Sequence, residues 1–215
     1  MPTLYGVGLS PFVRKVRVVL AEKGIPYDHD PVMPSNPDPE FRKMSPLGKV
    51  PAFRDGNHAF SDSSVICQYL ERQHPEPALY PKEAYELARA LWFEEYADTA
   101  LIEVFGPKIF FPRIVEKKFM GKEPDEAAIQ KVIDEQLPPR FDYLEGQLGD
   151  GPYLVGKQLT IGDVAVASMF VNLFHAGEGV DPKRWPKVAK YVATHHERPS
   201  FAPLVAEERG FLGMS

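Results

Sequence analysis

The chain has 215 residues, of which 44% are hydrophobic and 26% charged, values ordinary for one large or two modest globular domains. A formal net charge of −5 with scattered Lys and Arg argues against nucleic-acid binding, which needs a basic surface. No segment reads as a membrane helix or a signal peptide, and the single cysteine, Cys67, excludes an internal disulfide. These properties predict a cytoplasmic protein with no membrane partner.

The first half of the chain alternates short strand patterns with helix patterns. Strands are predicted at 3–7, 25–32, 51–54 and 58–60, and helices at 12–24, 36–44 and 61–74. Asp55-Gly56-Asn57 joins the last two strands as a hairpin, because Asp-Gly tolerates positive φ. A helix between the first two strands favours a parallel pair. The predicted order is β-α-β-α-β-β-α.

The second half carries helix patterns only. They cover 84–105, 124–148, 160–176 and 185–197. Gly106-Pro107 is predicted to break or kink the first of these helices. The chain is therefore predicted to be α/β plus all-α, with a mixed domain at 1–76, a proline-containing linker at 77–84 and a helical domain at 85–215.

The first segment with chemical potential is Ser10-Pro11, at the start of the first helix. Ser before Pro is a good N-cap arrangement, and capping alone is the simplest interpretation. The positive end of the helix dipole also favours an anion, and a serine hydroxyl there can donate to a thiolate. Lowering a thiol pKa by two units takes about 2.7 kcal/mol, within reach of a charge-assisted hydrogen bond and the dipole.

Two further segments would suit other parts of a peptide ligand. In Gly48-Lys49-Val50-Pro51 the proline opens a strand and is a candidate cis residue, and Val50 would offer its backbone to an extended peptide. Asp62-Ser63 at a helix start would suit an α-amino acid head group, with Asp62 binding the ammonium. Each segment also has a purely structural interpretation, as a strand-edge proline and as a helix cap.

Together, Ser10-Pro11, Lys49-Val50-Pro51 and Asp62-Ser63 resemble the glutathione site of the cytosolic glutathione transferases. The similarity is to serine-type, bacterial-like members with a theta-, phi- or tau-like N-terminal motif. It covers the whole chain and includes Thr160-Ile161-Gly162-Asp163, which resembles the capping box of the central helix in the family's second domain. The resemblance implies a thioredoxin-like βαβαββα domain followed by an all-helical domain.

The resemblance also implies a role for each matching residue. Ser10 would activate the glutathione thiol, Val50 beside a cis Pro51 would bind the cysteinyl backbone, Asp62 and Ser63 would hold the γ-glutamyl group, and Lys49 would pair with a carboxylate. Two positions depart from the family pattern, since Asp62 stands where Glu is commoner and Ser45-Pro46-Leu47 where Asn-Pro is more frequent. Tyr5 is a rival activator, because other classes use a tyrosine near the first strand.

The activity that the resemblance implies is conjugation of glutathione to a small hydrophobic electrophile, a detoxification reaction carried out by a homodimer. Phe12, Phe105 and Phe110 are candidates for the electrophile pocket, and core packing is the alternative for Phe105 and Phe110. Glutathione is expected as co-substrate, with no other cofactor. No metal is expected, because His195-His196 lacks a third ligand at zinc-like spacing and is expected to be a solvated or capping pair.

Two other functions remain open from the sequence. The first is a non-catalytic carrier or interaction protein that keeps the fold. The second is glutathione-dependent peroxide reduction or isomerisation, although the isomerase relatives carry Ser-Ser-Cys where this chain has Leu9-Ser10-Pro11. Thiol exchange is disfavoured, because Ser10 replaces the cysteine of the thiol-transferring relatives and Val13 stands where a second thioredoxin-type cysteine would be.

Overall fold

The computed structural model describes residues 1–214, and the chain divides into two units. The first unit contains residues 1–80 together with the segment from Pro199 onward, and the second contains Pro81–Arg198. The division falls within the predicted linker at 77–84. The C-terminal segment, however, groups with the first unit and not with the helical domain predicted for 85–215, because it packs against the first helix of the chain.

The first unit is a four-stranded mixed sheet with helices. Its elements are β1 (Thr3–Tyr5), α1 (Pro11–Glu22), β2 (Asp28–Asp30), α2 (Pro39–Met44), β3 (Ala52–Asp55), β4 (His58–Ser61) and α3 (Ser63–Gln73). The strand order is β2-β1-β3-β4, with β1 parallel to β2 and antiparallel to β3. The predicted βαβαββα order and the thioredoxin-like class are confirmed.

Strand β2 is shorter than the strand predicted at 25–32. Of the residues predicted at 25–32, only Asp28, His29 and Asp30 pair with β1. The carboxylates of Asp28 and Asp30 are exposed. The His29 ring Nε2 donates to the carbonyl oxygen of Gly6 at 2.7 Å. A polar edge strand buries little apolar surface, so the hydrophobic pattern of its flanks overestimates the length of the paired segment.

The second unit is all-helical, as predicted. Its helices are α4 (residues 84–120), α5 (Glu126–Gln147), α6 (Ile161–His175) and α7 (Pro186–His196). Of the break or kink predicted at Gly106-Pro107, the break does not occur, since α4 continues in wider π-helical turns over Phe105–Glu116. A π-helical turn bonds residue i to i+5, which relieves the clash of a proline ring with the carbonyl four residues earlier.

Helix α6 forms the centre of the second unit. It is buried along almost its whole length, and an added Cβ at Gly162 would lie 2.8 Å from the Ala90 carbonyl oxygen of α4. The predicted capping box is present, because Thr160 N–H donates to the Asp163 carboxylate at 2.9 Å and Leu154 N–H donates to its other oxygen at 2.9 Å. The box therefore joins the start of α6 to the preceding loop.

One further helix, α8 (Ala202–Phe211), belongs to the first unit and has no counterpart among the predicted elements. Its N-cap position is Phe201, which makes no side-chain cap hydrogen bond in the described part of the chain, so the usual polar signal of a helix start is missing. Within residues 1–214, no helix combines the length and the apolar character needed to cross a membrane.

Candidate active site

The predicted glutathione-binding segments of the first unit converge where β1 ends and β3 begins. Gly6, directly after β1, has φ +144°, and an added Cβ would lie 2.5 Å from Val13 of α1 and 3.0 Å from Val50. Only a residue without a side chain allows this approach. The close packing at Gly6 therefore brings the N-terminal turn of α1 and the segment before β3 together.

Ser10 is the N-cap of α1, as predicted. Its backbone is extended, Pro11 occupies the first helical position, and its hydroxyl oxygen accepts from Val13 N–H at a long 3.4 Å. Among residues 1–214, no acidic side chain in the first turn of α1 occupies the positive end of the helix. The Ser10 side chain is half-buried, and its own O–H can donate to an anion while the oxygen accepts.

Val50 and Pro51 are joined by a cis peptide bond, as expected. Val50 is buried, and within residues 1–214 neither its N–H nor its C=O makes a backbone hydrogen bond. These groups are thus available to an extended peptide. The exposed side chain of Lys49 lies beside them, and the Lys49 carbonyl accepts from the buried Ser45 hydroxyl at 2.7 Å.

The Arg42 side chain packs against the same loop. Its Nε donates to the Asn36 carbonyl at 2.9 Å, and an added Cβ at Gly48 would lie 2.7 Å from its Cζ atom. Gly48 has φ +67°, which favours glycine, and its carbonyl accepts from Ser35 N–H at 2.7 Å. The departure from the family pattern at Ser45 therefore still produces an ordered loop before Val50.

Asp62 and Ser63 lie at the start of α3, next to the Val50-Pro51 segment. Asp62 N–H donates to the Pro51 carbonyl at 3.3 Å. The exposed Asp62 carboxylate caps α3 by accepting from Ser64 N–H at 2.9 Å and Val65 N–H at 3.2 Å, and its φ is +85°. Ser63 is buried. A cap that remains exposed can also receive an ammonium group.

Two charged side chains of α1 are fully buried where they contact other helices of the first unit. Lys15 donates to the Ser64 hydroxyl of α3 at 3.0 Å, and Arg14 pairs with Glu208 of α8. Sequence reasoning missed both, because amphipathic periodicity assigns charged residues to a solvent face. The available signal was weak: Arg14, Lys15 and Arg17 place three cations in one short helix in which no acidic residue occurs before Glu22.

The aromatic candidates are distributed over both units. Phe12 on α1 is half-buried. Phe105 and Phe110 belong to the second unit, where Phe105 is fully buried with its ring 6.2 Å from Phe141 and 5.3 Å from Phe170, and Phe110 is buried too. Such burial leaves Phe105 no surface to offer a ligand, so the structure favours core packing for it over the pocket role.

Tyr5 and the histidine pair complete the set of candidates. Tyr5 is half-buried within β1 and paired with Asp30 and Ala52, one residue before Gly6. His195 is buried, and its Nδ1 bonds to the Tyr191 carbonyl at 2.8 Å, so of the two expected roles, solvated or capping, the solvated one is wrong for His195. In the part of the chain that the structure describes, no group of three His, Cys, Asp or Glu side chains is placed to hold a metal ion.

The fold and this arrangement define a class of protein: a thioredoxin-like unit with two helix N-termini and a cis-proline segment at one end of its sheet, joined to a helical unit. Sequence profiles agree with it. The glutathione S-transferase N-terminal domain matches residues 4–78, and the C-terminal domain of that family matches residues 110–208. The chain belongs to the glutathione S-transferase family.

Individual relatives extend over nearly the whole chain. The uncharacterized GST-like protein YibF of Escherichia coli (strain K12) is 30% identical over 202 residues, covering 93% of this chain and 96% of YibF. The crystal structure of a glutathione S-transferase from Rhodospirillum rubrum is 28% identical with a TM-score of 0.84, covering 95% and 91%. A theta class enzyme from Xanthomonas axonopodis pv. citri, solved with glutathione bound, is 25% identical with a TM-score of 0.81, covering 95% and 96%.

Proposed function

We propose that this protein conjugates the thiol of glutathione to small hydrophobic electrophiles, with the Ser10 hydroxyl stabilising the thiolate. The observation that carries the proposal is the position of Ser10. Ser10 caps α1 and its side chain is half-buried. Within residues 1–214, the first turn of this helix has no acidic side chain. A hydroxyl donor and the helix dipole both favour an anion there. The Xanthomonas relative was solved with glutathione bound, which supports this ligand for the site.

The rest of the tripeptide is assigned to the neighbouring segments. Val50 presents to the cysteinyl residue its N–H and C=O groups, which have no backbone partner among residues 1–214, in the manner of an added strand. The Asp62 carboxylate receives the γ-glutamyl ammonium, while Ser63 and the N-terminus of α3 receive its carboxylate. Lys49 pairs with a remaining carboxylate of glutathione. These contacts hold the cysteinyl sulfur near the N-terminus of α1.

In the reaction, the bound thiol loses its proton to solvent and the sulfur becomes the nucleophile. The thiolate attacks an electrophilic carbon and a C–S bond forms. In a substitution the leaving group departs with its bonding electrons, and in an addition the π bond of the electrophile breaks and its electrons take up a proton from solvent. Ser10 donates a hydrogen bond and is not consumed. The protein contributes proximity of the two reactants and a lowered thiol pKa. Phe12 lies two residues after Ser10, and its ring is half-buried. It is the candidate in the first unit for contact with the electrophile.

The test is a titration of the enzyme-bound thiol by thiolate absorbance near 240 nm. We expect Ser10→Ala to retain glutathione but to raise the thiol pKa by about one unit, because the hydrogen bond from Ser10 is lost while the dipole of α1 remains. Ser10→Thr, which keeps the hydroxyl, is the matched control and should remain near wild type. An unchanged pKa in Ser10→Ala would refute the role of Ser10, and Tyr5→Phe would then be titrated in the same way.

A conjugation assay with an activated aryl halide separates this function from the alternatives. Retention on immobilised glutathione without turnover would favour a carrier, and turnover only with a hydroperoxide or an isomerisable substrate would favour the other glutathione-dependent reactions. We also propose that the enzyme acts in detoxification as a cytoplasmic homodimer, as its family relationship suggests. Light scattering after size-exclusion chromatography measures the dimer directly, with a mass of twice 24.2 kDa expected.

A further inference from the structure

The C-terminal helix α8 makes two adjacent ion pairs with α1. Arg14 donates through Nε and Nη2 to both oxygens of Glu208, with an Nε–Oε1 distance of 2.7 Å. Arg17, one turn later on α1, donates through Nη1 and Nη2 to Glu207 at 2.9 and 2.7 Å. Both pairs are bidentate, the geometry in which Arg is most specific for a carboxylate. Consecutive residues of α8 therefore hold two successive turns of α1.

Both pairs lie next to the turn that carries Ser10. Arg14 N–H donates to the Ser10 carbonyl at 2.9 Å, so Arg14 closes the first hydrogen-bonded turn that Ser10 caps. On the other side of Ser10, an added Cβ at Gly8 would lie 3.4 Å from Arg17 Nη1 and 3.7 Å from Glu207 Oε1. The loop before Ser10 thus lies against the Arg17–Glu207 pair, and the turn after Ser10 contains Arg14 of the Arg14–Glu208 pair.

The second pair is further tied into the unit. Arg17 Nε donates to the Tyr27 hydroxyl at 3.0 Å, and the Arg17 side chain is only 8% exposed. Burial opposes the charged form of Arg17, but the hydrogen bonds with Glu207 and Tyr27 outweigh it and keep its pKa above the ordinary value. Arg17 is thus charged at every pH of interest and holds Glu207 in one place.

We propose that Glu207 and Glu208 are positioning residues of the glutathione reaction, which through Arg17 and Arg14 fix the Ser10 hydroxyl where it meets the thiolate. The inference rests on the function proposed above for Ser10. It assigns to the C-terminal helix a part in the chemistry, although Glu207 of α8 lies 190 positions from its partner Arg17 in the sequence. Neither glutamate touches the substrate in this scheme.

A substitution at Glu207 distinguishes a positioning effect from a charge effect, because the two would shift the thiol pKa in opposite directions. Glu207→Gln deletes a negative charge near Gly8 and leaves Arg17 uncompensated, so charge alone would stabilise the thiolate and lower the thiol pKa. Loss of position has the opposite effect, because a displaced Ser10 donates less well and the thiol pKa rises. Arg17→Lys keeps the charge but loses the bidentate contact, so it should act through position only.

The experiment titrates the thiol of glutathione bound to the full-length protein and its variants. We expect Glu207→Gln and Arg17→Lys each to raise the thiol pKa by about half a unit, which is about threefold less thiolate below the pKa. The dissociation constant of glutathione, measured at a pH below the thiol pKa, should change less than about twofold, since Val50 and Asp62 are untouched. Glu40→Gln, which removes an exposed carboxylate of the same unit paired with Lys43, is the control and should show no shift.

The double variant Ser10→Ala/Glu207→Gln decides whether Glu207 acts through Ser10. If it does, the second substitution adds no further rise to that of Ser10→Ala alone. An additive rise in the double variant would overturn this inference. It would also be overturned if Ser10→Ala raised the thiol pKa while Glu207→Gln and Arg17→Lys left it unchanged or lowered it. Either result would leave the role of Ser10 intact. No rise in Ser10→Ala itself would overturn both.

Discussion

Arg14 and Glu208 form a fully buried ion pair between the first helix of the chain and the last. The two side chains are 0% and 2% exposed, and the guanidinium contacts both carboxylate oxygens. Removing two charges from water is costly, and the cost is offset only while the partners face each other. Each residue therefore stabilises the first unit only when the other is present.

We expect Glu208→Leu to lower the free energy of unfolding by about 3–5 kcal/mol, because it leaves the Arg14 guanidinium buried without its carboxylate. The double variant Arg14→Met/Glu208→Leu should recover most of this loss, since two apolar side chains of similar volume can replace a buried pair. Chemical denaturation followed by circular dichroism measures both. Equal instability of the single and double variants would contradict the prediction.

Gly6 is expected to tolerate no side chain, because φ +144° is unfavourable for one and Val13 and Val50 leave it no space. Gly6→Ala should lower stability by about 1–3 kcal/mol, the usual cost of overpacking, and weaken glutathione binding by displacing Val50. Gly56→Ala is the control, since Gly56 has φ +55° but open surroundings. Val13→Ala in the Gly6→Ala background should restore part of the loss in a thermal unfolding assay.

Asp62→Asn tests the assigned contact with the ammonium group of glutathione. Asn caps a helix about as well as Asp and tolerates positive φ, so the fold and the cap of α3 should be kept. Loss of the charge should weaken glutathione binding about tenfold, equivalent to about 1.4 kcal/mol, as measured by calorimetry. A glutathione analogue without the α-amino group is the control ligand. It should bind wild type and variant equally, and a tenfold loss for this analogue as well would argue against the contact.

The stabilising effect of the Glu207–Arg17 pair should depend on pH. The hydrogen bond from Arg17 lowers the pKa of Glu207 below its ordinary value of 4.5. A carboxyl group whose pKa is lower in the folded state stabilises the fold above its unfolded pKa, and this effect is lost as the pH falls through the folded value. The stability advantage of wild type over Glu207→Gln should therefore be constant above about pH 5.5 and shrink below 4.5. An advantage that grows on acidification would contradict this prediction.

Much of the fold could be predicted because its signals are local. Ser10 before Pro11 indicates a helix cap, and the alternation of short strands with helices specifies the βαβαββα order. Thr160 and Asp163 stand three residues apart, so the capping box of α6 is readable without a structure. Of the break or kink predicted at Gly106-Pro107, the break does not occur, because a proline signals only a missing donor and a clash, and wider turns can absorb both.

By itself, then, the sequence predicted which residue types lie at the candidate site: a hydroxyl at the start of α1, a proline just before β3 and a carboxylate at the start of α3. Only the tertiary structure decided what holds them in place. The pairing of Arg14 with Glu208 joins residues 194 positions apart, and the need for glycine at residue 6 arises from Val13 and Val50 packing against it. Such contacts depend on how distant segments pack, and no local pattern encodes which buried charge meets which partner.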